Sequence, residues 1–181
     1  MREQMIKIFE PDQRHVERLV SIGTQTFAET FVGMQYYTTE IVEGYTSQTF
    51  TAAKVAKDLA DPKVTFLLAE IDGELAGYAK LVDRPADDCV KDRNAIYLER
   101  IYLLKSFQRR GLGQALMDEV NRRAKILGFD SMWLSVWEYN TPAVSFYRKH
   151  GFEHVGEWDW AFEFAGKKYV DRDWIFVLPV T

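Results

Sequence analysis

The chain has 181 residues, 47% of them hydrophobic and 28% charged, with a formal net charge of −4. This size fits one compact domain, residues 1–181, whose core needs neither disulfides nor a structural metal. The acidic balance argues against direct nucleic-acid binding and leaves room for attraction of cationic amines, and no apolar run has the length of a membrane span.

Cys89 is the only cysteine, so an intrachain disulfide is impossible and a reducing, cytoplasmic setting is expected. Beside Asp87 and Asp88 it reads as an incidental loop thiol, not a nucleophile. Met1-Arg2-Glu3-Gln4 passes straight into strand-like alternation, without the apolar stretch of a signal peptide.

In chain order, residues 5–9 predict a first strand, stopped by Glu10-Pro11-Asp12. A helical face follows with Val16, Leu19, Val20 and Gly23 and carries on to Phe27 and Phe31. Past Tyr36 and Tyr37, Thr38 or Thr39 caps a short helix with Ile41 and Val42, and residues 52–59 form another that Asp61-Pro62 ends. Two alternating runs, 64–70 and 74–82, flank Asp72-Gly73 as a hairpin. A polar loop, 85–93, precedes a fourth strand over 97–103. Leu112, Leu116, Val120, Ala124 and Leu127 recur at helical spacing until Gly128. Residues 133–137 form a fifth strand. Thr141 and Pro142 cap and open a helix through Lys149 that Gly151 stops, and strands over 152–160 and 174–178 flank a turn at 165–168. The order predicts an α/β fold with a mixed central sheet flanked by helices.

The segment Gln108-Arg109-Arg110-Gly111-Leu112-Gly113 lies where strand gives way to helix. Unpaired amides at a helix start face an anion in a positive field, glycine permits close approach, and arginine meets charge at the rim. A nucleotide-triphosphate loop would end in Lys and Ser or Thr, but Gln114 follows Gly113. A dinucleotide fingerprint would carry a small residue where Leu116 stands. A phosphate cradle of another kind and an ordinary tight turn remain.

The combination decides between them. Leu98 to Leu103, Gln108 to Gly113, Trp133 to Trp137, and Asn140-Thr141-Pro142-Ala143-Val144-Ser145-Phe146-Tyr147-Arg148-Lys149-His150-Gly151-Phe152 together resemble the acetyl-CoA-binding core of the GNAT superfamily of N-acetyltransferases. The likeness extends loosely from Ile6 to Leu178. With Thr26 to Phe31 and Leu134 to Asn140, the chain looks most like the small bacterial enzymes that acetylate spermidine and spermine.

That resemblance implies a sheet whose fourth and fifth strands splay around the pantetheine arm, with acetyl-CoA as acyl donor. It places Ile101, Tyr102 and Leu103 along the pantetheine, with the Leu103 N–H toward the acetyl oxygen, and Gln108, Arg109, Arg110, Gly111, Leu112 and Gly113 on the pyrophosphate. Asn140 would hold the pantetheine, a helix cap being its other reading. Tyr147 would be the general acid and also touch the cofactor. Glu99 would take the proton of the acceptor ammonium, as a matching glutamate does in some relatives, although a solvent-facing strand glutamate reads the same way.

Phe27, Phe31, Tyr36 and Tyr37 are candidate walls for an aliphatic amine, with Glu29, Glu40 and Glu43 for distal ammonium groups; core packing explains the same residue types. Trp158 and Trp160 share a strand face that suits a substrate wall, a dimer surface or a core. His15, His150 and His154 lack metal-site spacing, and no serine or cysteine triad is present, so direct attack by the amine in a ternary complex is expected. The partners this implies are a small amine or polyamine and, by resemblance, a second copy in a homodimer. A protein N-terminus or another small amine is the alternative acceptor; a non-catalytic acyl-CoA sensor or protein-binding module is the alternative class.

Overall fold

Two hydrophobic runs folded back across a left-handed turn begin the sheet. β2 (Val64–Ile71) and β3 (Glu74–Val82) flank Asp72 and Gly73, whose φ angles of 52° and 84° give the primed turn whose twist suits paired strands. The Asp72 carboxylate accepts the Met5 N–H at 3.0 Å and the Asp72 N–H donates to the Met5 carbonyl at 3.0 Å. These bonds set β1 (Ile6–Phe9) antiparallel to β2, with Ile6 opposite Ile71. This computed structural model describes residues 4–180; Met1 to Glu3, part of the stretch read for a leader, lie outside the described residues.

A 3₁₀ turn at Gln13–His15 and three α-helices separate β1 from β2: α1 (Val16–Phe31), α2 (Thr39–Thr49) and α3 (Ala52–Ala60). Of the two candidate caps for α2, Thr38 takes the position, its Oγ1 accepting from the Ile41 N–H at 3.4 Å. Thr51 does the same for α3 through the Lys54 N–H at 3.3 Å. Each such cap satisfies an amide that the helix leaves unpaired and contributes about 1 kcal/mol.

After β3 come β4 (Ala95–Leu103), α4 (Leu112–Ile126), β5 (Ser131–Trp137), α5 (Thr141–Lys149), β6 (Glu153–Phe164) and β7 (Lys167–Pro179). The seven strands run in the order β1-β2-β3-β4-β5-β7-β6. The sheet is mixed: β4 and β5 are parallel, whereas β5 with β7 and β6 with β7 are antiparallel. The β4–β5 ladder consists of Ala95, Ile96 and Tyr97 against Ser131, Met132 and Trp133. Both strands continue beyond it, and this is the expected splay.

Three details differ from the sequence reading. Asn140 caps α5, because its Oδ1 reaches the Ala143 N–H at 3.4 Å, which moves Thr141 and Pro142 inside the helix. Leu127 lies past the end of α4 and is exposed, while Leu112, Leu116, Val120 and Ala124 are buried. The last hairpin is longer than predicted: Ala165 and Gly166 alone make its turn, with φ of 50° and 75°, so both strands extend to it.

The chain packs as two compact units, one of residues up to Leu81 with Arg100–Val120, the other of Val82–Glu99 with Asn121 onward. The first is built on Leu19, Ile22, Phe50, Val55, Phe66, Leu68, Tyr78 and Leu104. The second centres on Val90, Ala95, Tyr97, Trp133 and Ile175. Burying each large side chain contributes about 1.5–3 kcal/mol.

Within the first unit, Gly77 of β3 lies directly against β4. A Cβ there would collide with the Tyr102 carbonyl oxygen and the Leu103 side chain. Backbone cannot yield as a side-chain tip does, so Gly77→Ala is expected to destabilise by about 1–3 kcal/mol, read as a lowered Tm; an unchanged Tm would contradict this packing.

Candidate active site

In the first unit, β4 ends at Leu103 and a short 3₁₀ turn, Lys105–Phe107, leads into the segment before α4. The Gln108 side-chain amide donates back to the Leu103 carbonyl at 3.3 Å, tying the turn to the strand. Arg109 and Gly111 both have left-handed backbone, with φ of 61° and 80°. That conformation costs a non-glycine residue roughly 1–2 kcal/mol, so its presence at Arg109 marks a turn whose shape is held by its surroundings. The first bond of α4 runs from the Ala115 N–H to the Gly111 carbonyl at 3.1 Å, so the amides of Leu112, Gly113 and Gln114 precede the helical ladder. No atom lies within 4 Å of where a Gly111 Cβ would stand. Arg109 and Arg110 are exposed, the Arg110 guanidinium 5.4 Å above the Phe107 ring. Open space, free amides and two guanidinium groups meet the requirements of a diphosphate.

The same unit gathers the four aromatic residues read as an acceptor wall. Phe27 lies 4.4 Å from Phe31 and 4.6 Å from Tyr45, ring centre to ring centre, and Tyr37 lies 5.7 Å from Phe31 and 5.1 Å from Tyr36. Phe27 also reaches Tyr102 of β4 at 6.4 Å, which joins the cluster to the strand meant for the pantetheine. Phe31 and Tyr37 are buried within it, leaving Phe27 and Tyr36 the more accessible pair. Glu29, one of the acids proposed for a distal ammonium, accepts the Lys105 N–H at 2.7 Å and a Gln25 amide at 3.0 Å, and so holds the start of the 3₁₀ turn. Glu40 and Glu43 are exposed on α2.

In the second unit, Tyr147 is buried on α5, edge-on to Phe152 at 5.5 Å. Burial, aided by the neighbouring Tyr97, pushes its phenol well above the usual value, so it keeps its proton throughout the neutral range. Asn140 is buried and its Oδ1 makes the cap; the NH₂ end of the amide is the part left to donate to a ligand. Glu99 is half-buried on β4, two residues along the same face from Tyr97. Trp158 meets Trp133 edge-on at 6.5 Å, whereas Trp160 is exposed and stacks on Phe162 at 4.9 Å. Cys89 has its thiol pushed up to about 11 by burial and by Asp87, which removes it as a nucleophile at neutral pH.

Sequence reasoning missed a polar group on this face. The Tyr97 hydroxyl and Ser135 Oγ are 3.2 Å apart. Asp173 of β7 stands opposite Trp137 on β5 and Trp158 on β6. Burial raises its carboxyl pKa, against the Trp158 indole and the Ser135 hydroxyl, which favour the charged form. Neither donor reaches ordinary hydrogen-bond geometry, and the buried Trp158 Nε1 has no partner among the described residues. One signal was visible: Ser135 interrupts the apolar side of 133–137 between two tryptophans.

Residues 32–152 match the acetyltransferase (GNAT) family. The chain belongs to that family. It is 33% identical over 152 residues to an uncharacterized N-acetyltransferase in the pepI 3'region of Lactobacillus delbrueckii subsp. lactis, covering 84% of this chain and 87% of that one. It is 26% identical over 103 residues to the spermine/spermidine N(1)-acetyltransferase of Bacillus subtilis strain 168, covering 56% and 65%. Its fold is similar to that of the PaiA N-acetyltransferase of Thermoplasma acidophilum in complex with coenzyme A, with a TM-score of 0.76, 22% identity and 97% and 99% of the two chains covered. As a member of the family, this protein is an acetyltransferase. No helix among the described residues is long and apolar enough to cross a membrane.

Gly111→Val is expected to weaken coenzyme A binding on the order of tenfold, since a β-branched residue resists φ > 0 at the cradle. Isothermal titration calorimetry reads this; a folded variant with unchanged Kd would remove the turn from the site.

Proposed function

We propose that this acetyltransferase acetylates a primary amine of a small polyamine such as spermidine or spermine, by direct attack of the amine in a ternary complex. The observation that carries the reading is the buried Tyr147 phenol on α5, packed edge-on against Phe152. The polyamine preference draws support from the partial match to the Bacillus subtilis enzyme, from the net charge of −4 and from the Phe27–Tyr36 aromatic cluster, which suits an aliphatic chain.

Acetyl-CoA supplies the activated acyl group as a thioester. In this reading Gln108 to Gly113 bind its diphosphate, the backbone of Ile101, Tyr102 and Leu103 orients the pantetheine and the acetyl oxygen, and the Asn140 amide steadies the arm. Glu99 takes the proton that the acceptor ammonium must lose before it can attack. Tyr147 Oη holds the proton for the departing sulfur. Phe27 and Tyr36 line the acceptor chain, backed by Phe31 and Tyr37, with Glu40 and Glu43 available to its far ammonium groups.

The test is mass detection of products from acetyl-CoA with spermidine, spermine, diamines, amino compounds and N-terminal peptides. Acetylated polyamine, with kcat lowered on the order of a hundredfold in Tyr147→Phe, is the expected result. Peptide acetylation alone would replace the polyamine with a protein N-terminus, and full turnover in Tyr147→Phe would remove the assigned acid.

A further inference from the structure

Tyr97 lies on the same sheet face as several proton-handling groups of the second unit and touches one of them. It stands two residues before Glu99 on one face of β4, and its hydroxyl is 3.2 Å from Ser135 Oγ on β5. Burial raises the pKa of the Tyr97 phenol against the Ser135 hydrogen bond, with smaller influences from Glu99, Arg84 in the loop before β4 and Asp173 on β7, and Tyr97 adds to the rise at Tyr147 on α5. The Arg84 guanidinium lies 4.7 Å over the Tyr97 ring and 5.3 Å from that of Trp133.

Strand register explains why groups so distant in sequence converge. Tyr97 faces Trp133 across the last parallel pair, and Ser135 is the next residue on that side of β5. Ser135 pairs with Ile175, so Asp173 is its diagonal neighbour on the same face. Asp173 is faced by Ser135 from β5, Trp158 from β6 and Asp171 on its own strand. A carboxylate only accepts. A Ser135 hydroxyl turned to Asp173 must therefore take its own hydrogen bond from Tyr97, which orients the chain in one direction. Catalytic bonds that are long in a free enzyme commonly tighten once substrate is bound.

We propose that Tyr97, Ser135 and Asp173 form the relay that carries away the proton Glu99 takes from the acceptor amine. The Glu99 carboxyl gives its proton to Tyr97 Oη as the Tyr97 proton passes to Ser135 Oγ and the Ser135 proton to an Asp173 carboxylate oxygen. At Tyr97 and Ser135 one O–H bond breaks as another forms; Glu99 ends as carboxylate and Asp173 as the neutral acid, which releases the proton to solvent. A buried carboxyl with a raised pKa is suited to holding a proton briefly. The inference rests on the amine acetyltransferase reading and on Glu99 as its base.

The sign of the pH effect follows. The relay needs ionised Asp173, so kcat falls as pH drops through its pKa. Asp173→Asn should lower kcat on the order of tenfold and abolish that acid limb, with the Kd for coenzyme A unchanged by calorimetry. Ser135→Ala removes the hydroxyl in the middle of the relay, and should lower kcat to a similar extent and abolish the same limb. Because the folded pKa exceeds the ordinary 3.8, ionising Asp173 costs stability as pH rises above that value. Asp173→Asn should therefore keep or raise the Tm at neutral pH.

A readout independent of turnover is the carboxyl carbon-13 NMR titration of Asp173, expected to shift upward in Ser135→Ala. Wild-type kcat and pH profile in both variants would overturn the relay, as would an Asp173 titration unmoved in Ser135→Ala. If the wild-type protein acetylates no amine, the acetyltransferase reading on amines fails, and the NMR shift alone then decides whether the two groups are coupled.

Discussion

A parallel ladder that ends after Tyr97 and Trp133 is the constraint on which the site depends. Buried backbone amides and carbonyls need partners, and β4 runs on for six residues, Leu98 to Leu103, without β5 beside it. In the proposed reading those groups serve an extended ligand as an exposed strand serves a peptide. On its other side the strand is fixed: the Leu104 N–H donates to the Ala76 carbonyl at 2.9 Å, and Gly77 leaves room for the Tyr102 backbone. That edge is thus fixed.

The chemistry is divided between backbone and side chain in a way that follows from this. Binding of the acyl donor is assigned mainly to main-chain groups, at Ile101 to Leu103 and at the amides of Leu112 to Gln114. Their positions are set by secondary structure and by the left-handed residues Arg109 and Gly111. Proton handling is assigned to side chains whose environments pull in useful directions. Tyr147 is kept protonated by burial, and Asp173 is made more basic by the same cause. Groups of opposite task are distinguished by where they sit, not by residue type.

Much of this was legible in the sequence because the relevant signals are local. A threonine at 38 or 39 announces the start of α2, Asp72-Gly73 announces its turn, and the Gln108–Gly113 segment stands where strand yields to helix, whereas the Thr51 cap of α3 came only with the structure. Asn140 illustrates a limit: cap and ligand holder are both amide roles, and only coordinates show that its oxygen makes the cap. The β6–β7 hairpin outran its prediction because the exposed Trp160 and Val170 blur the alternation on which strand reading depends. Tyr97, Ser135 and Asp173 were invisible for a different reason. They lie on three strands brought together by register, and register is a property of the folded sheet.

The most direct test of the central claim, that the free amides opening α4 hold the diphosphate of acetyl-CoA, is an amide NMR titration with coenzyme A. The account predicts the largest shifts at Gly111, Leu112, Gly113 and Gln114, with a second group at Tyr102 and Leu103. Saturable binding that leaves these amides unmoved would contradict it.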